Sequence, residues 1–203
     1  DKAAALASGI AARWGVTVPG ILAERASTKQ PFSFELVRAS VADGIATLTV
    51  QRPDAMNALN EAVVAQLRAR FDAAAADPAV KGIVLAGSGK AFVAGADIRF
   101  FVKNIEAKDL QRTWDFTKAG QDLLQAIDDC PKPVVARLHG LALGGGVELA
   151  LACDHLVATP NASLAFPETG IGIYPGLGGT QRTSRRIGEG LARWLVFTGQ
   201  TVG

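Results

Sequence analysis

The chain has 203 residues, enough for one substantial core or one core with a short appendage. Its 49% hydrophobic and 20% charged content excludes a disordered chain, and a formal net charge of +2 gives no footing for nucleic acid or a membrane surface as partner. Apolar stretches are cut by Gly, Glu or Arg before they could cross a bilayer, and Cys130 and Cys153 lack the spacing of a zinc pair, a redox motif or a disulfide framework.

Two such cysteines read as small buried apolar groups in a reducing compartment, so a cytoplasmic location is expected. The chain begins at Asp1 without Met and stops at Gly203 just after an apolar run, and so reads as part of something longer. Residues 1–33 differ from the rest. An Ala-rich helical stretch, Lys2 to Arg13, ends at Val18-Pro19-Gly20. A short helical run from Ile21 to Ala26 then leads into a linker, Ser27 to Pro31. This segment is either an N-terminal extension or the tail of a preceding domain.

Residues 34–203 have an α/β pattern. Phe34 to Ala39 and Ile45 to Gln51 are β-rich runs joined through Asp43-Gly44, a hairpin signal. Asn60 caps a helix from Glu61 to about Ala76, with Val63, Leu67, Phe71 and Ala74 on one face. Gly82 to Gly87 is uniformly apolar, as a strand buried on both faces should be. A glycine-containing loop comes next, then a helix over roughly Leu110 to Asp129 and a strand from Pro133 to Leu138. This alternation predicts parallel strands with right-handed crossovers.

Nine of the 22 glycines fall between Gly140 and Gly179. Gly144-Gly145-Gly146 lies between the strand ending near Leu138 and a helical run from Val147 to Ala152. Free N–H groups at such a helix start suit a developing negative oxygen. A phosphate loop would need a Gly-Lys-Ser/Thr ending, and Gly176-Leu177-Gly178-Gly179 lacks dinucleotide-binding spacing, so both nucleotide readings fail. The segment from Lys90 to Arg99 would supply a second N–H donor, although a plain tight turn would look the same.

Glu148 and Glu168 stand in apolar, glycine-rich settings with little access to a solvated face. Carboxylates are rarely buried unless paired or functional. If they converge, each raises the other's proton affinity, making one a neutral acid and the other a base. Otherwise each caps a helix or pairs with an arginine such as Arg182. His139 and His155 flank the glycine triplet, and a structural hydrogen bond is the expectation for each.

Several segments together resemble the crotonase (enoyl-CoA hydratase/isomerase) family: Arg52 to Asn60, Ala91 to Ile98, Lys132 to Ala136, His139 to Ala150, Cys153-Asp154, Phe166-Pro167-Glu168 and Pro175 to Arg182. They occur in the family's order. The resemblance implies an α/β spiral of ββα units without its C-terminal helices, acting on an acyl thioester of coenzyme A. By that likeness the N–H groups of Ala96 and Gly145 hold the thioester oxygen, and Glu148 and Glu168 are catalytic. Ala94 through Ile98, Asp97 included, line the coenzyme's path; Lys90 and Arg99 lie near its phosphates; Gly176 covers the acyl end.

Both glutamates are present, which favours water addition to a 2-enoyl-CoA in fatty-acid β-oxidation. Two alternatives are a Δ3,Δ2-enoyl-CoA isomerase and an RNA-binding relative. A peptidase on the same spiral would need a Ser at the nucleophile turn, which is absent. Hydration implies no cofactor beyond the coenzyme A of the substrate, and no metal. NAD enters only if residues 1–33 end a fused 3-hydroxyacyl-CoA dehydrogenase, which they loosely resemble. Two departures stand out: Asp54 replaces a basic residue near the coenzyme, and the chain stops before helices that in relatives complete the acyl pocket and the homo-oligomer contacts.

Overall fold

The computed structural model describes residues 35–203, so the expectations for residues 1–33 lie outside the described residues. The elements in chain order are β1 (Val37–Ala42), β2 (Ile45–Val50), a 3-10 turn (Pro53–Ala55), α1 (Glu61–Ala76), β3 (Gly82–Gly87), β4 (Ala91–Ala94), α2 (Ile98–Glu106) and α3 (Leu110–Asp128). Next come β5 (Val134–Leu138), β6 (Leu141–Leu143), α4 (Gly145–Leu151), β7 (His155–Ala158), β8 (Ser163–Ala165), a second 3-10 turn (Pro167–Ile171), α5 (Gly179–Ile187) and α6 (Glu189–Thr198).

Asp43 and Gly44 both have positive φ, 51° and 77°, which makes the two-residue turn that suits the twist of a hairpin. That turn fixes the register, with Ala42 opposite Ile45 and Val37 opposite Val50. The first strand therefore occupies Val37–Ala42 rather than the predicted Phe34 to Ala39. Beyond Val37 its residues are exposed, as suits an edge strand. Asn60, in extended conformation, accepts the Val63 N–H at 2.9 Å and starts α1 where predicted. The helix buries Val63, Val64, Leu67, Phe71 and Ala74. Each large side chain so buried contributes about 1.5–3 kcal/mol.

Strands are shared between two sheets. The larger has the order β1-β2-β3-β5-β7, and the smaller has β4-β6-β8. Apart from the β1–β2 hairpin, the strand pairs of the described residues are all parallel. The chain lays β3, β5 and β7 in the large sheet and sends each on to β4, β6 and β8 in the small one, which makes the spiral of ββα units. Sequence patterning carried no sign of the small sheet: the segment from Lys90 to Arg99, expected as a loop, contains β4. Its strands have only three or four residues, too few to display an alternation.

The small sheet's register is what positions the functional site. Ala94 lies opposite Leu143, and Leu143 opposite Ala165, at the ends of the three parallel strands. Loops leaving such strand ends are where α/β sheets place ligands. Among the described residues, no helix is long and apolar enough to cross a membrane.

Candidate active site

Ala96 and Gly145 each lie two residues beyond a paired strand end, so the register brings them together. Leu59 N–H donates to Gly95 O and Asp97 N–H donates to Leu59 O, each at 2.8 Å. This bridge turns the intervening Ala96 N–H away from Leu59. Neither the Ala96 nor the Gly145 N–H has an acceptor among the described residues. A Cβ on Gly145 would stand 3.8 Å from Ala96 N, so the two free donors are neighbours. An oxygen gaining negative charge there would meet both.

The three glycines of the triplet serve different ends. Gly144 has φ 46° and ψ −117°, a backbone conformation that a side chain would strain. Gly145 carries the free donor. Gly146 lies so close to Val93 O that a Cβ would overlap it, which seats the start of α4 on β4.

Glu148, in the first turn of α4, is 1% exposed. Its Oε1 accepts the N–H groups of Leu177 and Gly179, each at 2.7 Å. Burial pushes its pKa from 4.5 up to about 7; the two N–H donors oppose the rise, the Glu168 carboxylate adds to it, and Arg182 opposes it. A Cβ on Gly179 would stand 2.8 Å from Glu148 Cγ, so that glycine makes room for the carboxylate.

Glu168 leaves β8 in the second 3-10 turn, three residues beyond Ala165. Burial raises its pKa, opposed by its own backbone N–H. Its Oε2 is buried and has no hydrogen-bond partner among the described residues. Its Oε1 lies 2.3 Å from the place a Cβ on Gly144 would take, so a side chain there would displace it. Two carboxyl groups of raised pKa thus meet the start of α4 beside two unpaired N–H donors. Arg182 pairs with neither: its guanidinium donates to Asp128 at 3.3 Å and to Leu177 O at 3.0 Å.

The other predicted positions surround this centre. Ala94 is half-buried and donates its N–H to Met56 O at 3.0 Å. Lys90, Ile98 and Arg99 are exposed. Asp97 is buried; it caps α2 through the Arg99 N–H at 3.2 Å and accepts from Arg52 Nη2 at 2.5 Å and Arg99 Nε at 3.1 Å. Burial raises its pKa, but the hydrogen bonds from Arg99 and Arg52 outweigh that and hold the carboxyl below its usual range. Its carboxylate thus pairs with two arginines, Arg52 and Arg99. Gly176 O accepts Gln121 Nε2 at 2.8 Å, which ties its loop to α3. Asp54 lies exposed in the first 3-10 turn.

Sequence reasoning missed the two amides that hold Glu148. It also missed Asn57, fully buried at φ 60°, whose side chain donates to Ser88 O and Ala91 O at 2.8 Å and Phe92 O at 3.2 Å. Asn57 Oδ1 accepts Arg52 N–H at 2.8 Å, so one amide fastens β4 to the preceding turn. His139 Nε2 lies 3.0 Å from Gly89 O, the structural contact expected of it. No group of three or more His, Cys, Asp or Glu among the described residues could hold a metal.

This chain is similar to known proteins. The family described as enoyl-CoA hydratase/isomerase matches residues 40–203. The crotonyl-CoA hydratase of Syntrophomonas wolfei is 41% identical over 171 residues, covering 84% of this chain and 64% of its own length. The short-chain-enoyl-CoA hydratase of Clostridium acetobutylicum is 40% identical over 161 residues, 78% of this chain and 59% of its own. The crystal structure of an enoyl-CoA hydratase from Thermoplasma volcanium superposes with a TM-score of 0.78 at 32% identity, covering 83% of this chain and 66% of that one. The chain thus spans less than two thirds of the length of these relatives.

Proposed function

The chain belongs to the enoyl-CoA hydratase/isomerase family, and on that premise we propose that it hydrates 2-enoyl-CoA thioesters, as in fatty-acid β-oxidation. The observation that carries this reading is the pair of glutamates, Glu148 buried and Glu168 half-buried, both of raised pKa, beside two unpaired backbone donors. A proton-shuttling isomerase needs one such acid. Addition of water uses two, one for each proton that moves.

In the proposed mechanism the thioester oxygen lies against the Ala96 and Gly145 N–H groups. Glu148, its Oε1 steadied by two amides, acts as the base. It takes a proton from water as the water oxygen bonds to the β-carbon. The π electrons shift through the α-carbon to the thioester oxygen, giving an enolate held by the two donors. Glu168, which has no partner to favour its charged form beyond its own N–H, acts as the acid. It gives its proton to the α-carbon as the thioester carbonyl re-forms. Passage of the proton from Glu148 to Glu168 completes the cycle, with H and OH added and no outside redox partner. Each donor is worth about 2.7–4 kcal/mol of barrier, and each placed acid or base about 10²–10⁴ in rate.

Lys90 and Arg99 serve the coenzyme's phosphates in this reading, and Ala94 to Ile98 and Gly176 its remaining path. Coenzyme A enters as part of the substrate and no further cofactor takes part, NAD belonging only to a fused dehydrogenase. Residues 34–203 form the crotonase core, and 1–33 an extension or domain tail. A cytoplasmic homo-oligomer is the proposed state; the exposed Leu191, Trp194 and Phe197 on α6 support association. The test is loss of the conjugated-thioester absorbance of crotonyl-CoA in the protein at its natural length. Turnover that Glu148→Gln and Glu168→Gln each abolish is the expected result; binding without turnover in the wild type would overturn the reading.

A further inference from the structure

We propose that the Leu177 side chain sets the acyl-length preference of the site, with Gly120 as the stop behind it, and that the pair confines the substrate to short 2-enoyl groups. This rests on the hydratase reading above. Leu177 is 7% exposed and held at both ends of its peptide. Its N–H donates to Glu148 Oε1 at 2.7 Å, and its carbonyl accepts Arg182 Nη1 at 3.0 Å. The backbone of this residue thus belongs to the carboxylate, while its side chain points elsewhere.

That side chain bridges the reacting centre and α3. Its Cδ1 lies 3.5 Å from the place a Cβ on Gly145 would take. Its Cδ2 lies 2.9 Å from the corresponding place on Gly120, in the middle of α3. One helical turn before Gly120, Phe116 packs on Phe100 with ring centroids 4.9 Å apart and on Phe101 at 5.6 Å. An acyl chain whose thioester oxygen lies at Ala96 and Gly145, with its β-carbon toward Glu148, therefore meets Leu177 directly. Behind Leu177 stands α3, met at Gly120.

Gly120 is a positioning residue. It lets the leucine lean back against α3, since a Cβ there is tighter than any real contact and the flexible methyl end of Leu177 would have to move. The direction left to it is toward Gly145, into the room the acyl group needs. Leu177→Ala enlarges the site without touching the N–H that holds Glu148, whereas Gly120→Ala narrows it.

The experiment measures kcat/KM for four-carbon crotonyl-CoA and ten-carbon 2-decenoyl-CoA in the natural-length protein. The variants are Leu177→Ala, the milder Leu177→Val, Gly120→Ala and the Gly120→Ala/Leu177→Ala double. Kd values for butyryl-CoA and decanoyl-CoA are measured alongside. The wild type is expected to favour the short substrate, and Leu177→Ala to raise the long-to-short ratio roughly tenfold, as a few methylenes in a pocket allow. Gly120→Ala is expected to slow crotonyl-CoA roughly tenfold, and the double variant to recover it. An unchanged length ratio in both leucine variants, or a double variant as slow as Gly120→Ala, would overturn the proposal. A wild type that turns over neither thioester sinks the hydratase reading instead, and the Kd ratios then decide the role of Leu177.

Discussion

Replacing Glu148 by Gln should make the protein more stable and less active, by an amount that depends on pH. Glutamine keeps the shape and leaves an oxygen free to accept the Leu177 and Gly179 amides, so what is removed is the titrating proton. The native carboxyl titrates at about 7 rather than at 4.5 because burial disfavours its charge. Between those values the folded wild type binds more proton than the unfolded chain, so its stability falls as pH rises. The contribution is complete below about 4.5 and lost above about 7. At 1.36 kcal/mol per pH unit, the change across that window is roughly 3 kcal/mol, an upper bound if water reaches the group. The amide of the variant carries no such dependence. Urea unfolding of both proteins should therefore give a stability difference that moves toward the variant by up to that amount between about pH 4.5 and pH 8. The same variant should lose about 10²–10⁴ in kcat with crotonyl-CoA. An equal stability difference at both pH values would show that Glu148 does not titrate in this range, and the assignment of the base would fall with it.

Three further outcomes are expected. The kcat/KM profile of the wild type should rise through an acid limb near 7 as Glu148 becomes charged, and that limb should disappear in Glu148→Gln; a wild-type profile flat over that range refutes Glu148 as the base. Gly144→Ala should displace Glu168 Oε1 and lower kcat about as far as Glu168→Gln does, roughly 10²–10⁴, with no further loss when the two are combined. Asn57→Ala should cost about 3–5 kcal/mol in denaturant unfolding, because it strips three carbonyls of a buried donor; a cost near zero would mean water replaces the amide.

The range of the forces involved decides which features the sequence displayed and which it hid. The Asp43-Gly44 turn, the Asn60 cap and the apolar run of β3 are local and were legible as residues. So was the glycine triplet, because a backbone conformation foreign to side chains demands glycine at Gly144. The small sheet was not legible, since its strands are too short to show alternation and are held by pairing across long stretches of chain. Yet its register is what brings Ala96, Gly145 and Glu168 together. Arg52 and Asp97, 45 residues apart, form an ion pair that only the fold creates. Asn57 carried one signal, an amide amid an otherwise apolar Ala55 to Leu59 run, which fits a left-handed residue whose burial is offset by hydrogen bonds.

The double grip on Glu148 Oε1 also makes the protein its own indicator. The amide protons of Leu177 and Gly179 point at the atom whose charge changes near neutrality. Their nuclear magnetic resonance shifts should therefore move together with pH, along the curve of the carboxyl itself. Two resonances would then report the protonation of the site in the resting protein, before any thioester is added.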